Sequence, residues 1–406
     1  MDLNETMNVL LNGTEFEVMT NSKVLTTRKK VKTPIEALNC LLGGGLPVGI
    51  IAHIYGEPRG GKSTFFYQVM GLFQKQYPDG ISIIIDMESS ADPERLKILG
   101  VDVDRVVRLP ATSIENGFLA LLKLIQNKEE TDALKDVPIF VIWDTISKGL
   151  ATDSTIQSRM AAMDRARVIK GYMSEIQKHI EKQDFFLGLI NQIIYTTDKY
   201  GNRKATAGGG IALQHDNQIS FFVKLENDEY DEYGMLVNRV GSMKIDKSKI
   251  SPEIQSIPYY MDVTNGAKIK DKESFFSYMN RIGIVDQGSK GWYSHSVFYE
   301  HEGSDEYTKR ILDKLGMDRS RRMRWNDFKE FYFQDVAYDL LKHVYMNLIE
   351  KKFALQKEVM KEYHMKVIED IKENLLKIYS EDEVSQLFKD DEVESENVIE
   401  ENVENE

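Results

Sequence analysis

The sequence predicts an α/β fold in which a mostly parallel sheet is flanked by helices and continued by antiparallel strands. Between about residues 34 and 265, continuous apolar strand-like runs alternate with amphipathic helical patterns, as in parallel sheets covered on both faces. After residue 216 the pattern changes to consecutive strands separated by turn residues. From 267 to 380 the chain is helical in pattern and charged, which indicates a smaller second domain.

The individual elements follow from these patterns. The parallel strands are expected at 50–55, 81–86, 104–109, 138–143 and 185–190, and the principal helices at 113–126 and 158–182. The later strands are expected at 218–225, 234–239, 242–249 and 257–262. The chain therefore divides into an N-terminal segment 1–32, an α/β core 33–265, a mixed and mainly helical domain 266–380, and a tail 381–406 that we expect to be disordered.

The acidic charge is concentrated at the C-terminus. Residues 381–406 contain twelve acidic residues and one basic residue, Lys389, and so account for −11 of the net charge of −13. The other 380 residues carry a net charge of only −2, which is compatible with a local basic groove for nucleic acid. The tail is either a solubilising segment or a tethered anion that competes with DNA phosphates.

Composition also indicates a compartment. The single cysteine, Cys40, permits no internal disulfide and suits a reducing cytosol. The longest apolar runs, such as 185–190, are too short to cross a bilayer. The first basic residue is Lys23, so the N-terminus lacks the charged region of a signal peptide. We therefore expect a cytoplasmic protein without a membrane partner.

A phosphate-binding loop is the most specific motif in the chain. It follows the apolar run 49–55 and precedes a helical pattern from Phe65 to Gln76, which is the strand–loop–helix context that the motif requires. We expect loop amides and the helix N-terminus to bind the phosphates, Lys62 to contact the β- and γ-phosphates, and Ser63 to bind Mg²⁺. The motif GxxxxGK[ST] is formed by Gly56, Glu57, Pro58, Arg59, Gly60, Gly61, Lys62, Ser63 and Thr64.

Three further strands carry polar side chains at or just beyond their ends. Asp144 ends the run 137–143 and is expected to hold Mg²⁺ through water, because ligands gather at the carboxyl edge of open α/β sheets. Glu88 lies just past the run 81–86, where a carboxylate either activates a water or caps a loop. Gln192 follows a fourth strand and either senses a γ-phosphate through its amide or begins a surface loop.

Two segments have the residues expected of a nucleic-acid contact. The polar stretch 193–210 is long for a structureless loop and carries Lys199, Arg203 and Lys204 with two tyrosines, Tyr195 and Tyr200, which suits single strands whose phosphates pair with cations and whose bases stack on rings. The second segment, 148–158, leads into a helix with Arg159 and Arg165. A solvated helix face explains those arginines equally well.

The ordered set of motifs resembles the RecA family of homologous recombinases, and within it the UvsX-type recombinases of large bacteriophages. The likeness is carried by residues 33–39 and 43–49 before the phosphate loop, then by 86–88, 92–93 and 99–102. Residues 143–145, 190–192, the glycines 208–210 and the pair 212–213 complete it in the family's order. The resemblance covers about 33–265 and implies a RecA-like P-loop ATPase core.

The resemblance also implies roles for single residues. Glu88 would be the general base, Gln192 the γ-phosphate sensor, and Asp92 and Arg95 would contact the adenine of ATP, although the family often has an aromatic residue at the position of Arg95. Lys247 and Lys249, two apart on an expected strand, match a lysine pair that reaches the ATP of the neighbouring subunit. The DNA-binding residues would be Arg159, Arg165, Lys199, Arg203, Lys204, Gly208, Gly209 and Gly210.

The sequence thus predicts a DNA-dependent ATPase that forms a helical filament on single-stranded DNA and promotes strand exchange with duplex DNA. ATP and Mg²⁺ are the expected cofactors, and a mediator and a single-strand-binding protein are candidate partners. A strand near Phe16 would dock on a neighbouring subunit. Three alternatives stay open: a hexameric helicase of the same superfamily, a recombination mediator that does not exchange strands, and a nucleotide-gated protein-binding module.

Overall fold

The computed structural model describes residues 28–111, 113–146, 159–181, 183–197, 203–207, 217–253, 256–285, 292–294, 299–317 and 321–388. The short strand expected near Phe16 lies outside these residues. The strands are β1 Lys30–Val31, β2 Leu46–Pro47, β3 Ile50–Gly56, β4 Ile81–Asp86, β5 Val106–Pro110, β6 Ile139–Asp144, β7 Phe185–Thr197, β8 Arg203–Ala207, β9 Ile219–Tyr230, β10 Leu236–Ser248, β11 Ile257–Asp262, β12 Lys268–Lys270, β13 Trp292–Ser294 and β14 Arg322–Arg324.

The helices connect and flank these strands. They are α1 Glu36–Leu41, α2 Lys62–Gln76, α3 Pro93–Ile98, α4 Ile114–Glu130, α5 Arg159–Ile180, α6 Asp271–Arg281, α7 Glu306–Lys314, α8 Trp325–Tyr332, α9 Asp335–Lys352, α10 Ala354–Leu376 and α11 Glu381–Leu387. Among the residues that the structure describes, none of these helices combines the length and the apolar character needed to cross a bilayer.

One large sheet organises the core. Its strands lie in the order β12-β11-β10-β9-β3-β7-β6-β4-β5, and β8 pairs with β7. The six strands from β9 to β5 in that order are parallel to one another, whereas β10, β11 and β12 extend the sheet with antiparallel pairs. The predicted fold class is confirmed.

Side chains of the central strands are buried on both faces of this sheet. In β3, Ile50, Ala52 and Ile54 belong to one apolar cluster, and Ile51 points into the other. The ring of Phe140 in β6 stacks on that of Phe186 in β7, with their centroids 4.6 Å apart. Such two-sided burial explains why these strands are continuous apolar runs in the sequence instead of alternating ones.

Two expectations about strands were wrong in detail. The stretch 193–210 is not a structureless loop, because β7 continues to Thr197 and pairs with β8 as a hairpin, with Ile193 opposite Ala207. The β-branched and aromatic residues 193–197 favour extended structure, and this preference prevails over their polar surroundings. The strands expected at 234–239 and 242–249 are one continuous strand, β10, with irregular register against β9.

The C-terminal helices are fastened to the core through buried polar groups. Glu36 in α1 is 7% exposed and accepts a hydrogen bond of 2.5 Å from the Tyr363 hydroxyl of α10. The Glu36 amide donates to Asp271 of α6 at 3.0 Å. Burial, together with the neighbouring charge of Glu36, raises the pKa of Asp271 to about 8. The C-terminal helical region therefore packs against α1, at the start of the α/β core.

The acidic tail begins later than the sequence indicates. Residues 381–387 form helix α11, whose start is capped by Ser380 and Glu383. Val384 and Leu387 in this helix are buried. Together with the ion pair between Lys314 and Glu383 at 2.7 Å, these apolar residues one turn apart dock a segment that its acidic composition assigned to the disordered tail. Residues 389–406 lie outside the described residues.

Two leucines of α4 test the packing of the core. Leu121 is 0% exposed in one apolar cluster, whereas Leu119 on the same helix is 54% exposed. Leu121→Ala should lower the free energy of unfolding by about 2–5 kcal/mol, because it removes buried methyl groups and leaves a cavity. Leu119→Ala should change it by less than ~0.5 kcal/mol. Chemical denaturation measures both, and equal costs would contradict this assignment of the core.

Candidate nucleotide site

The carboxyl ends of the parallel strands bring the predicted site residues together. Gly56 at the end of β3 lies opposite Gln192 in β7. Asp86 at the end of β4 lies opposite Asp144 at the end of β6. Since these strands are neighbours in one sheet, the phosphate loop, Gln192 and Asp144 share one edge, where ligands bind in open α/β sheets.

The phosphate loop has a backbone that requires glycine. Gly61 caps the N-terminus of α2 in a left-handed conformation with φ 81°, and a Cβ there would lie 2.5 Å from the sulfur of Met261. Gly56 has φ 153°, and a Cβ on it would lie 2.0 Å from the carbonyl oxygen of Val223. The Tyr259 hydroxyl of β11 donates to the carbonyl of Gly60 and so links the loop to the antiparallel part of the sheet.

Lys62 lies inside this loop. Its ammonium donates to the carbonyl oxygens of Gly56 at 3.1 Å and Glu57 at 2.7 Å. Burial lowers the pKa of Lys62, although the nearby carboxylates of Asp144 and Glu88 act in the opposite direction. A cation held among backbone groups at a helix N-terminus is suited to bind phosphate oxygens.

Asp144 is a buried carboxylate with one hydroxyl donor. It is 3% exposed, and the Tyr67 hydroxyl donates to its Oδ2 at 2.9 Å. Burial raises the pKa of Asp144, whereas the nearby hydroxyls of Ser63 and Tyr67 act against that rise. Tyr67 lies one helical turn after Ser63, so its proximity was readable from the i,i+4 spacing, yet sequence reasoning missed it.

These donors fit a magnesium ion bound together with phosphate. Mg²⁺ prefers oxygen ligands and usually takes one or two from the protein, with the rest from water and substrate phosphates. Ser63 and Asp144 offer a hydroxyl and a carboxylate beside the phosphate loop. Among the described residues, no group of three or more histidine, cysteine or acidic side chains forms a metal site by itself.

Glu88 and Gln192 are in direct contact. The amide nitrogen of Gln192 donates to Oε1 of Glu88 at 3.2 Å. Glu88 is half-buried and Gln192 is exposed. A carboxylate and an amide side by side at the edge of the phosphate loop can both approach the terminal phosphate of a bound nucleotide.

Asp92 and Arg95 occupy different surroundings. Asp92 is exposed and caps α3 by accepting from the Glu94 amide at 3.1 Å, so its carboxylate already has a structural role. Arg95 donates to the Thr64 hydroxyl at 2.9 Å and lines a cavity of about 290 Å³ beside the loop. Sequence reasoning missed Arg239, Met261 and Ala267, which also line this cavity.

The two lysines predicted to act at a subunit interface lie away from the chain's own phosphate loop. Lys247 is opposite Ser220, which is opposite His53 in the middle of β3, and its ammonium donates to the carbonyl of Asn217 at 3.0 Å. Lys249 is exposed and follows β10, which ends at Ser248. The strand expected at 242–249 therefore ends one residue before Lys249.

The structure gives the position of four predicted DNA-binding residues but not their side chains. Arg159 and Arg165 belong to α5, and Arg203 and Lys204 belong to β8. Lys199 and the glycines 208–210 lie outside the described residues. Their contact with DNA stays a prediction.

Comparison with known proteins gives one consistent result. Residues 17–269, more than half of the chain, match the family model described as the RecA N-terminal domain. The recombination and repair protein of Enterobacteria phage T4 is 21% identical over 295 residues, covering 70% of this chain and 72% of that protein. The RecA protein of Nostoc punctiforme is 26% identical over 305 residues, covering 71% of this chain and 78% of that protein. The RecA protein of Gloeobacter violaceus is 28% identical over 286 residues, covering 66% of this chain and 70% of that protein. The resemblance predicted from the motifs is confirmed.

The bond between Tyr67 and Asp144 makes a testable contribution to stability. Because burial raises the pKa of Asp144, its ionisation costs the folded state stability as the pH rises above the ordinary value. Tyr67→Phe removes a donor to the ionised carboxylate and should cost about 1.5–3 kcal/mol at pH 8, but clearly less near pH 4. Unfolding free energies at both pH values measure this.

Tyr77→Phe is the matched control for this experiment. Its hydroxyl donates to the Lys30 carbonyl at 2.8 Å, and a carbonyl does not titrate. The cost of this change should therefore be the same at both pH values. A pH-independent cost for Tyr67→Phe would show that Asp144 is not the group it stabilises.

Proposed function

Because the chain belongs to the RecA family, we propose that it is an ATP-dependent DNA recombinase. It would form a helical filament on single-stranded DNA and promote homologous pairing and strand exchange with duplex DNA. The observation that carries the proposal is the shared edge of the sheet, where the phosphate loop lies beside the Gln192–Glu88 pair and the buried Asp144. The names of the relatives, RecA and a recombination and repair protein, support the same activity.

ATP with Mg²⁺ would be bound by groups that already lie together at this edge of the sheet. The amides of the loop and of the α2 N-terminus would donate to the phosphate oxygens, and Lys62 would exchange its carbonyl partners for the β- and γ-phosphates. Ser63 and Asp144 would hold the metal ion, which lowers the charge that develops on the phosphates. The nucleobase would enter the cavity beside Arg95.

Hydrolysis would depend on Glu88 and Gln192. Glu88 would orient and deprotonate the water that attacks the γ-phosphate. The Gln192 amide, now bound to Glu88 at 3.2 Å, would instead donate to the γ-phosphate when ATP is present. The change between bound ATP and its hydrolysis products would thereby alter the position of β7 and of the hairpin that carries Arg203 and Lys204. DNA and ATP would favour the same state, so that each tightens binding of the other.

Assembly would place each ATP between two protomers. Lys247 and Lys249 lie away from their own phosphate loop, which is the arrangement required if they act on the nucleotide of a neighbour. DNA would be bound through its backbone by residues around β8 and α5, without strong base readout. A mediator and a single-strand-binding protein remain proposed partners, and the host cytoplasm the proposed location.

Electron microscopy tests the assembly. With single-stranded DNA and a non-hydrolysable ATP analogue, the chain should form open helical filaments. Lys247→Ala combined with Lys249→Ala should stay folded and bind nucleotide but lose filaments and DNA-stimulated hydrolysis. Lys224→Ala, an exposed lysine in β9, is the control and should assemble normally. Closed rings would indicate a helicase, and no assembly with both ligands saturating would overturn the proposal.

Glu88→Gln tests the chemistry. The substitution keeps the shape of the side chain but removes the base, so that kcat for ATP hydrolysis should fall by about 10²–10⁴ while ATP and DNA still bind. Glu94→Gln is the control on the same segment, since Glu94 is exposed and pairs with Lys97 at 2.8 Å. Steady-state hydrolysis measures both variants. Unchanged turnover in Glu88→Gln would show that another group is the base.

A further inference from the structure

We infer that Arg108 positions Glu88 for hydrolysis, and that it does so through the buried carboxylate of Asp86. Arg108 lies in β5 at the edge of the sheet and belongs to no motif of the sequence. The inference rests on the proposed role of Glu88 as the base. Two groups of contacts connect the arginine to that residue.

Asp86 organises the loop that carries Glu88. Its Oδ1 accepts from the backbone amides of Glu88 and Ser90, both at 3.2 Å, and its Oδ2 accepts from the amide of Ala91 at 3.4 Å. The loop therefore wraps around one carboxylate, which binds the Glu88 backbone directly. Any displacement of this carboxylate would move the Glu88 backbone with it.

The loop needs this support because its backbone is strained. Ser89, the residue after Glu88, has φ 53°, in the left-handed region that residues other than glycine rarely adopt. Such a conformation persists where surrounding contacts determine it, and it often occurs at functional sites. The three amide bonds to Asp86 enclose Ser89 and supply those contacts.

Arg108 keeps Asp86 in the charged form that can accept these bonds. Nε and Nη2 of Arg108 lie 3.0 and 2.8 Å from Oδ2 of Asp86. The Asp86 side chain is 0% exposed, whereas that of Arg108 is 48% exposed. Burial alone would raise the pKa of Asp86, but the bonds from Arg108 and the loop amides outweigh it, so that the pKa is lowered.

Loss of the guanidinium would weaken this support. The buried carboxylate would lose its only charged partner among the described residues that donates to it, and a buried charge would be left without compensation. The loop would loosen, and Glu88 would no longer be held at its working position.

Arg108→Met is the test. It should lower kcat for ATP hydrolysis by about 10- to 100-fold, because small displacements of a catalytic group are costly, while KM changes much less. Arg108→Lys keeps a cation near Asp86 and should retain most of the activity. Filaments with the non-hydrolysable ATP analogue should form as in the wild type.

Arg105→Met is the matched control. Arg105 precedes β5 and donates to backbone carbonyls of residues 74, 77, 78 and 80 at the opposite end of the sheet, including that of Gln74 at 3.1 Å. This variant should lose stability without a comparable loss of kcat. If both variants behave alike, or if Arg108→Met keeps the wild-type kcat, the inference is wrong while the proposed function stands. A wild-type chain without ATPase activity would overturn the proposed function itself.

Discussion

The parallel register of four strands is the constraint on which the candidate site depends. Gly56 meets Gln192 and Asp86 meets Asp144 because β3, β4 and β6 end at one edge of the sheet, where β7 passes through Gln192. A shift of one residue in any of these pairs would turn the side chain to the other face of the sheet. Two-sided burial of these strands makes such a shift costly, so the packing that stabilises the core also fixes the geometry of the site.

The site is also built from buried charges that are each balanced by a partner. Asp144 lies beside the hydroxyls of Ser63 and Tyr67, Lys62 donates to the loop carbonyls, and Asp86 forms an ion pair with Arg108. Removing one partner of a buried pair usually costs more than the pair contributes, because the remaining charge is left without compensation. Substitutions in such a site are therefore costly even at residues that do not contact the nucleotide.

Sequence reasoning succeeded where a local pattern carries the information. The phosphate loop, the strand ends with Glu88 and Asp144, and Gln192 are each readable from a short segment with its flanking strand. The Arg95 cavity and the Arg108–Asp86 pair were not predictable, because Arg239, Met261 and Arg108 come from segments with no motif and meet only through the order of the strands. The 193–207 hairpin was missed because polar composition was given more weight than strand propensity.

The fastening of the C-terminal helices to α1 has a mechanical consequence. The first turns of α10 are tied to the core by Tyr363, which binds Glu36, and by Gln356, which donates to the Leu41 carbonyl. This helix of 23 residues is also packed along its length, since Val367, Ile371 and Leu375 are buried and Asn374 donates to Asp339 of α9 at 3.0 Å. It is ~34 Å long and follows the core as one body, so that a tilt of the core of about 10° would carry its far end through roughly 6 Å. Small rotations between subunits would thus become large displacements on the outside of an assembly.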